Sequence, residues 1–353
     1  MNGYTNSSDN HFYNSAYPYK VDDTCIHNGY TWRCTQTCTG IEPGSNYNYW
    51  NVTYTNPNLL INWDFTNPVN QRKFTATSTS LGLYTIDRWK YTDGGGYVYK
   101  DDTNHCISIR AGGVDDHQYM SYGQVIENGD KFYGKTLTAS IILLDDTIYT
   151  FTTGVLSSSS DVSGASFNQY CYLNLFYYNN LCFFRIFHTK YSNSYMANIK
   201  AVKLELGPVS TLKNDILGIN YASELIRCQR YYYRMNGNGK TNSNTIAVGH
   251  IHINGNAYCA IKLPTQMRTD SPIISYNDIG LQTNDGLYIN DINSIKNVYN
   301  DSSVEGCTQK LEFISKDSNL FIVQEPTHTS YGYNKTVLIN LGMSGFLAFD
   351  AEL

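Results

Sequence analysis

The stretch CYLNLFYYNNLCFFRIF, Cys171 to Phe187, is the longest apolar cluster in the chain. A bilayer-spanning helix needs ~20 predominantly apolar residues. Asn174, Asn179, Asn180 and Arg185 break this cluster well short of that. It reads instead as two core strands. Similar pieces recur at close intervals on both sides: RWKYT, GYVYKD, CISIRAG, YMSYGQVI, LTASIILLDD, TIYTFTTGVL and ANIKAVKLEL. Turn clusters such as TDGGG, ENGDKFYG and SSSSDVSGAS separate them. Short strands at this spacing predict an antiparallel β-sandwich of the jelly-roll kind over residues 55–208. The imperfect alternation of Ala201, Val202, Leu204 and Leu206 suits a final strand inserted between two sheets.

The rest of the chain fits an all-β protein. Its 353 residues imply two or three domains. Only 16 % are charged, 32 are tyrosine, and the formal net charge is −5. Residues for the outer faces of long helices are scarce, whereas strand and turn formers abound. A basic face for nucleic acid is not expected, nor is insertion into a membrane. The start, MNGYTNSSDNHFYN, lacks the basic and apolar regions of a signal peptide. Nine cysteines in no regular framework predict mostly buried thiols and folding in a reducing cytoplasm.

Residues 1–16 read as a flexible polar leader, and 17–54 as a small β module. The turn His27-Asn28-Gly29 between short alternating runs signals a hairpin there, and Trp50 is the expected hydrophobic plug. Residues 209–235 are expected to be a linker with a short helix. Leu225, Ile226, Gln229 and Tyr232 fall at helical spacing within it, with Ser223 or Asn220 available as N-cap. Residues 236–353 return to strands and predict a second β-sandwich.

Cys25, His27, Cys34 and Cys38 are close in sequence, but C-x-H and C-x3-C spacings are not those of zinc knuckles. Buried thiols or one local disulfide are expected. His250 and His252 share one side of a strand, where a three-fold axis would gather three copies around an ion, with surface or packed histidines as the ordinary alternative. Asp22-Asp23, Asp101-Asp102, Asp115-Asp116 and Asp145-Asp146 offer hard oxygen ligands for structural calcium, with solvated turn carboxylates as the ordinary alternative. No cofactor is otherwise expected. Asp64, Asp87, Glu127 and Glu205 have the type, but no visible pairing, for glycoside hydrolysis. No GxSxG, HExxH or Walker motif is present.

Two segments mix apolar residues with Asp and Arg: NLLINWDFTNPVNQRKF (Asn58 to Phe74) and YTIDRWKY (Tyr84 to Tyr91). Trp63, Phe65, Ile86 and Trp89 are expected in the core. Asp64 and Arg72, or Asp87 and Arg88, are expected as local ion pairs or turn anchors.

The stretch YKVDDTCIHNGYTWRC…P…YWNV resembles small chitin- or cellulose-binding-type carbohydrate modules of bacterial hydrolases and phage tail proteins. Trp32 matches the aromatic after the turn and Trp50 the closing core tryptophan. Where those modules carry ligand-stacking aromatics, this chain has Gln36 and Thr37. That departure counts against sugar binding by the module; Tyr17, Tyr19, Tyr47 and Tyr49, with Trp32, are the aromatics that would substitute in a sugar contact. The larger set NLLINWDFTNPVNQR…YTIDRW…GKTLTASI…NIKAVKLELGPVSTL…YASELIRCQRYYYRM…LPTQMRTDSPIISY…GFLAFDAEL is similar to the C-terminal part of bacteriophage tail-fibre or receptor-binding proteins. Trp50, Trp63, Asp64, Arg72, Asp87, Arg88 and Trp89 carry the signature of both matches. Together they imply a non-enzymatic homotrimeric appendage of a virion, folded in a bacterial cytoplasm, with host surface glycan and other virion proteins as partners. A structural virion protein such as a head fibre or decoration protein is the alternative, and a glycan depolymerase the third reading.

Overall fold

In a computed structural model of the chain, the structure describes residues 11–352 apart from 80–81, 113–118, 165, 168–169, 179, 190–194, 216–219, 238–243, 252–256, 270–271, 284–287, 291–295, 298–309, 316–319 and 325–335. The chain is all-β, built from several antiparallel sheets with two short helices among the described residues. It divides into two compact units, Met1–Tyr221 and Ala222–Leu353.

The first unit begins with a lobe of four short strands, β1 (His11–Phe12), β2 (Thr24–His27), β3 (Tyr30–Cys34) and β4 (Trp50–Val52), hydrogen-bonded in that order. The expected hairpin forms between β2 and β3. Asn28 (φ 49°) and Gly29 (φ 80°) supply the two positive φ angles of a type I′ turn. Trp50 is fully buried, and its indole N–H donates to Ile41 O at 2.8 Å. The expected boundary at residue 16 does not hold. Tyr13 N–H bonds to Ile26 O (2.9 Å) and its ring stacks on Tyr19, so the lobe already includes residues 11–16. Residues 1–10 lie outside the described residues.

The sandwich follows as β5 (Ala76–Thr79), β6 (Lys90–Gly94), β7 (Gly96–Asp101), β8 (Cys106–Ala111), β9 (Met120–Ile126), β10 (Leu137–Leu143), β11 (Ile148–Thr152), β12 (Ser159–Ser163), β13 (Cys171–Tyr178), β14 (Leu181–His188) and β15 (Ala197–Leu206). One sheet has the order β11-β10-β15-β8-β7-β5, the other β12-β13-β14-β9-β6. Their inner faces share one core, in which Ile107, Ile109, Leu137, Ile141, Leu173, Phe184 and Val202 are buried. The opening stretch is the β13–β14 hairpin, with Tyr178 opposite Leu181 and Cys171 opposite His188. Strand β15 does not lie between the two sheets. It is inserted within one, between β10 and β8. The strands missed in the sequence, β5 and β12, are polar and each lies at a sheet edge.

The segment 209–215, expected as linker, is packed. Val209 belongs to the lobe's core and Leu212 to the sandwich's core. It contains a helical turn, α1 (Leu212–Asp215). Asn214 amide donates to Val52 O and Tyr54 O, and accepts from Asn51 (2.6 Å). Ser210 N–H donates to the Tyr47 hydroxyl (3.0 Å). The segment is a strap binding lobe to sandwich.

In the second unit the expected helix is α2 (Tyr221–Gln229). It ends before Tyr232 and buries Cys228, while Ile226 is 54 % exposed. The strands are β16 (Tyr232–Asn236), β17 (Asn244–Ile251), β18 (Ala257–Ala260), β19 (Ile273–Thr283), β20 (Tyr288–Asn290), β21 (Lys296–Asn297), β22 (Lys310–Ser315), β23 (Leu320–Gln324) and β24 (Thr336–Asp350). The second sandwich expected here is, among the described residues, one hydrogen-bonded sheet centred on β24. That strand pairs with β19 along one side and with β17 and then β16 along the other.

Candidate functional site

The residues expected to stack on sugar in the lobe build its interior instead. Tyr19 is 4 % and Trp32 2 % exposed. Tyr17 packs edge-on against Tyr19, and Tyr19 against Trp50. Tyr47 is half-buried against Trp32 and accepts the Ser210 bond, and Tyr49 is half-buried. A sugar needs an open ring face, and Tyr19 and Trp32 have none. With so few residues the lobe spends its aromatics on its own core.

The Asp/Arg cluster is scaffolding. Trp63, Phe65, Ile86 and Trp89 lie in the sandwich core. Asp64 is a turn anchor, accepting the Thr66 N–H (3.0 Å) and hydroxyl (2.6 Å). Asp87 is fully buried and accepts the Gln71 backbone N–H (3.2 Å) and side-chain amide (2.6 Å). Arg88 is 2 % exposed, has a left-handed backbone (φ 73°), and donates to Val125 O at 2.7 Å. The Arg72 guanidinium lies 4.9 Å over the Tyr84 ring, with Lys90 5.0 Å from the same ring.

Cys25, Cys34 and Cys38 are buried free thiols of the lobe core. The His27 ring bonds to Glu42 (2.7 Å) and packs edge-on against Tyr13. Among the described residues no three His, Cys, Asp or Glu side chains converge on one point. The Asp pairs spend their oxygens on the chain itself. Asp23 caps Lys20 N–H, Asp101 takes Thr103 and Asn104, Asp145 takes Thr147 N–H, and Asp146 pairs with Lys200. Asp115, Asp116, His252 and the side chain of His250 lie outside the described residues. Of the carboxylates considered for hydrolysis, Glu205 is fully buried and bonded to Thr211.

The surface with the chemistry of a binding site is the outer face of β12, β13 and β14. Alternation along β13 sends Cys171, Leu173, Leu175 and Tyr177 inward, leaving Tyr172, Asn174, Phe176 and Tyr178 outward. Phe183, Arg185 and Phe187 share that side of β14. These side chains form a stacked ladder. Tyr172 lies on Phe187 (centroids 4.9 Å, 3° apart). Arg185 lies between Phe187 (5.1 Å) and Phe176 (4.8 Å), and Phe176 stacks on Tyr178. Flat pairing of rings with a cation between them fixes every member's orientation.

At the centre, Arg185 Nε donates to Asn174 Oδ1 (2.7 Å), and Asn174 Nδ2 donates to Asp161 Oδ1 (2.6 Å) and Ser163 Oγ (2.9 Å). Arg185 Nη2 reaches Asp161 at 3.4 Å. The other guanidinium N–H groups have no hydrogen-bond partner among the described residues; the Arg185 side chain is 14 % exposed and that of Asp161 62 %. Burial lowers the Arg185 pKa and Asp161 and Asp93 oppose this. The Tyr172 phenol is pushed up, chiefly by burial. A guanidinium with spare donors beside a carboxylate with spare lone pairs suits a vicinal pair of hydroxyls. One hydroxyl accepts from Arg185 while its neighbour donates to Asp161. Tyr178, 49 % exposed, closes one end of the row. In the sequence, Asn174 and Arg185 stood out only as breaks in an apolar run. Strict period-2 reading of each strand was the signal that would have put them on one face.

No protein-family model matches the chain, and no curated protein or solved structure is detectably similar to it. No described helix is long and apolar enough to cross a membrane.

Proposed function

We propose that this chain is a non-enzymatic attachment protein of a bacteriophage particle, binding bacterial surface glycan through the outer face of β12–β14. The observation that carries the reading is the Arg185–Asp161–Asn174 set, held rigid by an aromatic ladder and offering paired donors and acceptors. The resemblance of the sequence to tail-fibre and receptor-binding proteins supplies the setting, a homotrimer acting on a cell surface. A single ~mM contact contributes only ~4 kcal/mol, so three linked copies would raise effective affinity by avidity.

The test is binding of the purified chain to host cell walls and a glycan array, with Arg185→Met beside the wild type. Retention of wild-type chain and a loss of about tenfold or more in Arg185→Met, with circular dichroism unchanged, is the expected outcome. A folded wild-type chain that binds no host glycan would sink the reading and favour a purely structural virion part. Release of reducing ends from the bound polysaccharide would replace it with a depolymerase.

A further inference from the structure

A second set of reactive side chains lies buried where the strap meets β15, away from the outer face of β12–β14. Lys203 has no exposed side-chain surface. Its Nζ lies 2.7 Å from Asp215 Oδ2 and 3.8 Å from Oε2 of Glu205, which is also fully buried. Lys203 also donates to Asn56 O and Thr211 Oγ1, both at 2.7 Å. The Thr55 hydroxyl donates to Asp215 Oδ1 at 2.6 Å. Thr211 supplies its N–H and hydroxyl to Glu205.

We propose that Lys203 and Asp215 condense into an isopeptide bond, with Glu205 carrying the protons. Amine and carboxyl are already in contact, the arrangement that turns a bimolecular step into an intramolecular one. The ammonium passes its first proton to Asp215 Oδ2, 2.7 Å away, and the neutral Nζ attacks Cγ of the resulting carboxylic acid. The Thr55 hydroxyl holds the negative charge that develops on Oδ1. Glu205 takes the second proton from Nζ and delivers it to Oδ2. The Cγ–Oδ2 bond breaks, water leaves, and an amide remains. Nothing is oxidised or reduced, and one water is lost. Burial favours the step, because a fully buried ammonium and a carboxylate only 13 % exposed become one neutral amide. Burial also raises the pKa of Glu205, as a proton carrier requires.

The surface pairs Lys100–Asp102 and Lys200–Asp146 lack these conditions. Their carboxylates are 77 % and 79 % exposed. They serve as internal controls that should stay unlinked.

The experiment is intact-mass measurement and peptide mapping of the folded full chain after incubation in native buffer. The expected result is a chain lighter than its sequence by one water, with a branched peptide joining residues 203 and 215. Lys203→Met and Asp215→Ala should both keep the full sequence mass, Glu205→Gln should link far more slowly, and wild type held in urea should not link. A folded wild-type chain at full mass with separate Lys203 and Asp215 peptides overturns the proposal. So does a missing water that maps anywhere else. Because mapping of the wild type decides alone, a variant that fails to fold does not blunt the test.

Discussion

Asn62 has a left-handed backbone (φ 58°), and its side chain fastens two loops at once. Its amide donates to Val69 O and Asp87 O, both at 2.8 Å, and accepts the Val69 N–H at 2.7 Å. Asn62→Ala strands these buried groups and should cost about 3 kcal/mol, read from the urea unfolding midpoint. The sequence showed Asn62 inside the signature stretch but not this role, because both its backbone angle and its partners are set by tertiary contacts. The buried thiols make a second prediction at this scale. Burial pushes Cys25, Cys171 and Cys182 up to about 12 from an ordinary 9.0, and Cys34 likewise. A folded pKa above the unfolded one means the stabilisation is whole below pH 9 and fades as pH climbs toward 12. The unfolding midpoint should therefore fall between pH 8 and pH 10.5. Alkylation of these thiols at pH 8 should wait for unfolding.

Two glycines separate the conformational from the steric demands of a strand pair. At Gly29 (φ 80°) an added Cβ would meet nothing within 4 Å, so Gly29→Ala tests the turn's backbone alone. It should cost about 1 kcal/mol. At Gly123 in β9 the same atom would lie 2.1 Å from Phe184 O, on the strand next door. Gly123→Ala should cost about 3 kcal/mol or more by prying β9 from β14. Comparison of the two by urea unfolding checks both. Elements with an apolar period were legible in the sequence alone: the β2–β3 hairpin, the β13–β14 pair, and β15. Edge strands β5 and β12 were not, since an edge needs polar residues and takes its shape from its neighbour's backbone. The outer-face site escaped for a related reason. Arg185 and Asn174 meet Asp161 only across β13, by a pairing that no single segment encodes.

In the first unit, the strap makes lobe and sandwich one cooperative body. Trp32 and Trp50 belong to the lobe, Trp63 and Trp89 to the sandwich. Leu212→Ala, a change within the sandwich core, should cost about 2–5 kcal/mol. It should lower the fluorescence transition of a Trp63/Trp89-only variant and of a Trp32/Trp50-only variant together, which a pair of independent domains would not do. Val209 completes the lobe from beyond the end of the sandwich, and β15 fills the gap between β10 and β8. Both lie near the C-terminal end of the first unit, and a ribosome makes the chain from the other end. The nascent lobe must therefore wait, one side chain short, until the whole sandwich has been translated. Synthesis halted before residue 209 leaves the lobe without that side chain. Halted before β15, it also leaves an open seam between β10 and β8, two unpaired strand edges for chaperones and proteases to find.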